Sequence, residues 1–93
     1  MARCTVEATK QWDMELNRIY KALRTKLGVA EKQKLLESQR AWIQFRDLEF
    51  AFSDTFVKQE NGTIAIIDDL GRKMNFVRER VMQLDAYLHL ATF

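Results

Sequence analysis

The scarcity of turn-forming residues restricts the fold of this chain more than any other feature. Its 93 residues include no proline and only three glycines, whereas an all-β fold needs turn residues at short intervals. Asn61-Gly62 is a strong turn signal, and Gly28 is placed to end a helix in a left-handed conformation. We therefore predict an all-α fold, an antiparallel up-down-up bundle of three long helices in one domain over residues 1–93. The helices are expected at about 5–27, 30–58 and 64–90.

The first and third segments each carry a single apolar stripe at helical spacing. The stripe of the first segment consists of Trp12, Leu16, Ile19, Leu23 and Leu27. The stripe of the third consists of Ile67, Leu70, Met74, Val77, Val81, Leu84 and Leu88. A one-sided stripe is typical of a helix that buries one face, so both helices are predicted to contribute to the core.

The middle segment has apolar residues on two sides. One line consists of Leu36, Ile43, Phe50 and Val57, and the other of Ala41, Phe45, Leu48, Phe52 and Phe56. A helix with two apolar sides must be covered twice, so this pattern predicts that the middle helix is the central one. The excess of apolar surface suggests that a fourth element, a twin chain or a partner covers some of it (Phe50, Phe52, Phe56, Phe76, Phe93).

A polar row runs between those two lines and carries Gln39, Trp42, Arg46, Glu49 and Ser53. Polar groups among apolar neighbours are costly unless they are paired. We expect Asp13 to pair with Arg46 and Glu49 to pair with Arg80, in a network that fixes the register of the helices; a recognition surface is the alternative. The candidate residues for either role are Asp13, Asn17, Tyr20, Gln39, Arg40, Trp42, Arg46, Asp47, Glu49 and Arg80.

Composition argues against several classes of function. The 15 basic and 13 acidic residues are interspersed and give a net charge of +2, which is not the pattern of a nucleic-acid-binding surface. No apolar run approaches the roughly 18 residues that a membrane span needs. No signal peptide is evident at the start of the sequence.

The sequence also contains few residues that could form a catalytic, metal-binding or phosphate-binding site. Cys4 is the sole cysteine and His89 the sole histidine; both lie near chain ends, where a catalytic pair is hard to hold in place. No metal-ligand spacing and no glycine-rich phosphate loop is present. We therefore expect no catalytic, metal or cofactor site, and no enzymatic activity.

Two strings of residues resemble the LprI-like lysozyme-inhibitor domain family. The first reads Trp12-Asp13-x-Glu15-Leu16-Asn17-x-x-Tyr20. The second reads Gln39-Arg40-Ala41-Trp42-Ile43-x-Phe45-Arg46-Asp47. The similarity extends over nearly the whole chain, from Cys4 to the ending that contains Arg78, Arg80, Leu84 and Tyr87.

The resemblance implies a small helical bacterial protein of the periplasm or cell envelope that binds a protein and could inhibit a peptidoglycan hydrolase. A cytoplasmic location is expected instead if the given start is native. Many relatives carry several cysteines, whereas Cys4 here has no partner within the chain and is free to cross-link two chains.

An inhibitor needs a group that enters the hydrolase cleft, and the candidate partner loop is Lys58, Gln59, Glu60, Asn61 and Gly62. The alternative function is a self-associating structural module, or an immunity-type protein that binds a cognate toxin.

Overall fold

The computed structural model describes residues 2–60 and 62–92, with the side-chain surroundings of residues 4–57 and 62–92. Three helices account for nearly all of them: α1 (Ala2–Arg24), α2 (Val29–Glu60) and α3 (Thr63–Thr92). No strand occurs in the described ranges. Side-chain contacts between α2 and α3 pair early residues of one helix with late residues of the other, so these helices are antiparallel. The predicted all-α bundle of three helices is confirmed.

Gly28 starts α2 rather than ending α1 in a left-handed conformation. Its carbonyl accepts a hydrogen bond from the Lys32 N–H at 2.9 Å, and its own N–H donates to Glu31 Oε1 at 3.0 Å. This is the return half of a capping box, in which a glutamate in the first turn satisfies the N–H of the capping residue. Gly28 is not among the residues with positive φ, so the predicted left-handed helix end is wrong. The helix α1 ends at Arg24, before the expected residue 27, and tight turn hydrogen bonds connect it to Leu27.

Gly62 is the position where the backbone requires glycine. Its φ is 139°, in a region that side chains with a Cβ rarely adopt. Its carbonyl accepts a hydrogen bond from the Ile66 N–H at 3.3 Å, which makes it the residue that starts α3. The turn predicted at this point is therefore located correctly at Gly62, while Asn61 lies outside the described residues, as does Phe93.

The apolar core lies between α1 and α3, and each of these helices buries the stripe that its sequence predicts. Its buried members are Leu16, Ile19 and Leu23 of α1, and Val77, Val81 and Leu84 of α3. Partly buried side chains pack around them (Trp12, Tyr20, Leu27, Leu35, Trp42, Phe50 and Leu88). α3 packs against both α1, with which it shares most of its contacts, and α2. The central helix is therefore α3.

The prediction that α2 is sandwiched between two covered apolar sides is wrong. Four side chains of its second apolar line are half or more exposed: Phe45 at 56%, Leu48 at 65%, Phe52 at 63% and Phe56 at 50%. On the opposite line Val57 is buried. The side of α2 that faces the other helices carries Gln39 and Trp42 of the polar row together with Phe50 and Val57 of the first apolar line. Its apolar side chains outnumber the positions that face the α1–α3 pair, and the surplus remains in solvent.

Candidate binding surface

A buried guanidinium connects α2 to α3. Arg80 Nε donates to Gln39 Oε1 at 3.0 Å, Nη2 donates to Ser38 Oγ at 3.2 Å, and Nη1 donates to Gln83 Oε1 at 2.5 Å. Gln39 and Arg80 are only 7% and 8% exposed. Burial lowers the pKa of Arg80 from its ordinary value, although the nearby Tyr87 acts in the opposite direction. Every acceptor in this set is a neutral side chain.

The predicted pairing of Glu49 with Arg80 is wrong. Arg80 lies at the level of Gln39, whereas Glu49 lies about 15 Å farther along α2 at 1.5 Å per residue and is exposed. The register of the antiparallel helices decides which polar residues meet, and helical periodicity within one segment does not contain that register.

The predicted contact between Asp13 and Arg46 does occur. Arg46 Nη1 lies 3.7 Å from Asp13 Oδ1 and links α2 to α1. Arg46 Nη2 also donates to Asp47 Oδ1 at 3.0 Å, and its guanidinium carbon stands 5.5 Å from the centre of the Trp42 ring. Arg46 thus contacts Asp13, Asp47 and Trp42 at the edge of the bundle.

Aromatic rings fill the space between α2 and α3. The Phe76 ring centre lies 5.5 Å from that of Trp42, 5.8 Å from that of Phe45 and 5.6 Å from that of Phe50. Aromatic pairs at such distances contribute about 0.5–1.5 kcal/mol beyond area burial. They anchor the middle of α2, including the first phenylalanine of its exposed line.

A second polar cluster lies toward the other end of the α2–α3 contact. Asp69, 5% exposed, accepts a hydrogen bond from Ser53 and pairs with Lys73 at 3.0 Å. Lys73 also pairs with Asp54. Burial raises the pKa of Asp69, but hydrogen bonds from Ser53 and Lys73 and the nearby positive charges outweigh it, so the net pKa is lowered. Burial likewise lowers the pKa of Lys73, and its two carboxylate partners raise it to a net value above the ordinary one.

Sequence reasoning missed this cluster, although two signals for it exist. Ser53 continues the polar row of α2, and Asp69 stands one helical turn before Lys73, at the spacing where opposite charges pair. Within the described residues, every buried side-chain nitrogen or oxygen has a hydrogen-bond partner. The buried polar groups between α2 and α3 are thus satisfied within the chain, whereas Glu49 of the polar row is exposed.

The other candidate residues lie apart from these clusters. Asn17 and Arg40 are exposed, and Tyr20 packs at the edge of the core. Of the candidate partner loop, Lys58, Gln59 and Glu60 belong to the end of α2, and only positions 61 and 62 separate that helix from α3. Their side chains and all of Asn61 lie outside the described part of the chain.

The exposed apolar line of α2, hereafter the α2 apolar face, comprises Ala41, Phe45, Leu48, Phe52 and Phe56. At 1.5 Å per residue it extends over about 22 Å of helix. The rings of Phe52 and Phe56 lie 6.1 Å apart, so the face is continuous at that end. Contiguous apolar patches on soluble proteins commonly mark sites of protein–protein contact.

A groove of about 550 Å³ opens near the α1–α2 turn. Leucines from all three helices line it together with Arg80 and Tyr87. Among the described residues, the groove included, no group of three or more His, Cys, Asp or Glu side chains is arranged to hold a metal ion. No helix in the described ranges has the length and apolarity to cross a membrane.

Comparison with known proteins gives one result for the chain as a whole. No curated protein and no solved structure matches it significantly. Residues 1–84 match the family model described as lysozyme inhibitor LprI. That match covers most of the bundle, from α1 to the buried part of α3, and confirms the resemblance carried by the two sequence strings. The chain belongs to the lysozyme inhibitor LprI family.

Proposed function

We propose that this chain is a non-enzymatic binding domain of the bacterial cell envelope that inhibits a peptidoglycan-cleaving hydrolase through the α2 apolar face. The observation that carries the proposal is the orientation of α2. Phe45, Leu48, Phe52 and Phe56 are each at least half exposed, although a helix of a self-contained bundle would turn such residues inward.

The chemistry of the face suits a protein partner. Aromatic side chains supply much of the binding energy at protein interfaces, particularly where neighbouring contacts exclude water. The polar clusters and the Phe76 ring fix α2 against the bundle from within, so the face is presented by an ordered helix. Binding to an ordered surface costs less conformational entropy than binding to a flexible loop.

The choice of a hydrolase as partner is supported by membership in a family named for lysozyme inhibition. Lysozymes are usually basic, and the net charge of this chain is +2. Electrostatic attraction therefore does not favour the complex, and apolar contact must supply the affinity. Peptidoglycan lies outside the cytoplasmic membrane, so this function places the chain in the envelope or periplasm.

The test is a lysis assay with purified lysozyme, a cell-wall suspension and increasing concentrations of the protein. We expect inhibition by the unaltered chain and a loss of about 30-fold in inhibitory potency for Phe52→Ala, the equivalent of about 2 kcal/mol for an aromatic hot spot. Met14→Ala is the matched control, because Met14 is 71% exposed on α1 and lies off the α2 apolar face.

Two results would contradict the proposal. Absence of inhibition at high micromolar concentration would remove the hydrolase as partner. Equal potency of the Phe52→Ala variant and the unaltered protein would remove the α2 apolar face as the contact surface. Circular dichroism of both variants shows whether each retains the helical fold.

The same exposed face supports self-association as a second candidate function. Two copies could bury their α2 apolar faces against each other, which would cover the surface without a foreign partner. Light scattering over a range of concentrations distinguishes the two functions. A mass that rises to that of a dimer and is lost in Phe52→Ala supports self-association, whereas a strict monomer at high concentration excludes it.

A further inference from the structure

We propose that the groove near the α1–α2 turn binds the carboxylate of a single-chain aliphatic acid, with the chain against the leucines and the carboxylate on Arg80. This site is separate from the α2 apolar face and does not depend on the function proposed for that face. The argument rests on the shape of the groove, its lining and the unusual partners of Arg80.

The groove has the size and lining of a small-molecule site. Its volume of about 550 Å³ falls within the roughly 300–1,000 Å³ of typical ligand pockets. Five leucines line it: Leu23, Leu27, Leu35, Leu84 and Leu90. Leu27, Leu35 and Leu90 retain accessible surface, and an alkyl chain placed against them would remove apolar surface from water on both sides of the contact.

Arg80 supplies a charge that the protein itself does not neutralise directly. Its guanidinium has five N–H donors, and three of them bond to Gln39, Ser38 and Gln83. None of the ion pairs among the described residues includes Arg80. Buried cations are normally paired with an anion, because removal from water is costly.

The remaining donors favour an anionic oxygen. Each terminal nitrogen of Arg80 has two N–H groups and uses one in the bonds described above, so each retains one for a ligand. Hydrogen bonds from a guanidinium to a carboxylate are stronger than those to a neutral acceptor because both partners are charged. Glu31 is the acidic residue in the groove lining, and one of its oxygens is held by the Gly28 N–H at the start of α2.

Decanoate, below its micelle concentration, is the probe for this site. Trp42 reports binding because the Arg80 guanidinium lies 5.9 Å from the centre of its ring. A Trp12→Phe background leaves Trp42 as the sole tryptophan, since the chain contains two. We expect saturable binding of decanoate by fluorescence and by calorimetry, and at least tenfold weaker binding of decan-1-ol and of decyltrimethylammonium.

Two variants test whether decanoate binds to Arg80 and in the groove, and a third variant is the control. Arg80→Gln is expected to weaken decanoate binding at least tenfold while binding of decan-1-ol stays the same. Leu90→Asp tests the same site without disturbing the core, because Leu90 is 73% exposed and lines the groove; a negative charge there should also weaken binding at least tenfold. Ile64→Asp is the control at the opposite end of the bundle, where Ile64 is 84% exposed, and should bind decanoate as the unaltered protein does.

Three results would overturn the proposal. Equal affinity for decanoate and decan-1-ol would show that Arg80 contributes no anion site. Undiminished decanoate binding by Leu90→Asp would place the ligand elsewhere. Binding to phosphatidylglycerol vesicles without binding to free decanoate would assign the groove to a membrane surface instead of a single-chain acid.

Discussion

The difference in burial between the α1–α3 core and the α2 apolar face predicts losses of stability of different size for two truncations of large apolar side chains. Leu84→Ala removes a residue that is 0% exposed in the α1–α3 core. Phe52→Ala removes a larger side chain that is 63% exposed on the α2 apolar face. If sequence composition alone determined stability, the loss of the larger aromatic side chain would cost more.

The expected magnitudes follow from burial. Leu→Ala in a packed core typically costs about 2–5 kcal/mol, because the lost transfer free energy is joined by the cost of the cavity. A fully buried phenylalanine contributes about 1.5–3 kcal/mol; since only about a third of Phe52 is covered, its truncation should cost about 0.5–1 kcal/mol. For a domain of this size, 1 kcal/mol corresponds to a shift in Tm of roughly 4–8 °C.

Urea unfolding followed by circular dichroism measures both free energies of unfolding, and should be carried out at several protein concentrations. We expect Leu84→Ala to lower the midpoint strongly and Phe52→Ala to lower it slightly, with no dependence on concentration for the monomer. A Phe52→Ala cost that equals or exceeds that of Leu84→Ala at the lowest concentration would refute the reasoning. In that case α2 would be covered within a single chain, as its two apolar lines first suggested.

Two further predictions concern the second polar cluster and the glycines. The pKa of Asp69 is lower in the folded protein than its ordinary value of 3.8, so its contribution to stability is complete above that pH and is lost as the pH falls through the folded pKa. Asp69→Asn should therefore make Tm fall less steeply between about pH 5 and pH 2, and an unchanged slope would show that the pairs with Ser53 and Lys73 are not maintained in solution. Gly62→Ala should lower the free energy of unfolding by about 1–3 kcal/mol, because the φ of Gly62 is 139°. Gly71→Ala should raise the free energy of unfolding by about 1 kcal/mol, because Gly71 lies inside α3 and no atom lies within 4 Å of the added Cβ. Changes of the same sign and size for both substitutions would contradict the conformational argument.

The sequence is sufficient to predict α1, α3 and the side that each buries, although it predicts α2, and not α3, as the central helix. Each has one apolar stripe, and a single stripe can satisfy only one arrangement, with the stripe inward. Leu16 and Leu23 on α1, and Val77 and Leu84 on α3, are buried as that reasoning requires. Local pattern and tertiary structure agree here, so periodicity alone locates the core.

The orientation of α2 could not be obtained in the same way. Its pattern contains more apolar residues than the α1–α3 pair can cover, and exposure of an apolar residue is common enough that hydrophobicity does not fix which side turns inward. The choice depends on pairings such as Gln39 with Arg80, whose partners are 41 positions apart. Such pairings depend on the register between two helices, which is a property of the tertiary structure and cannot be read from either helix alone.

The exposure of the second apolar line of α2 has a physical explanation in the contacts that hold the helix. Hydrogen-bonded and ionic clusters around Arg80 and Asp69 fix its position along α3, and polar contacts of this kind specify register more than they add net stability. The Phe76 ring supplies the apolar contact between them. Because the α1–α3 core already stabilises the bundle, α2 need not bury Phe52 or Phe56 for the chain to fold. Those side chains are thereby available to a partner, on a helix whose angle and register are set from the inside.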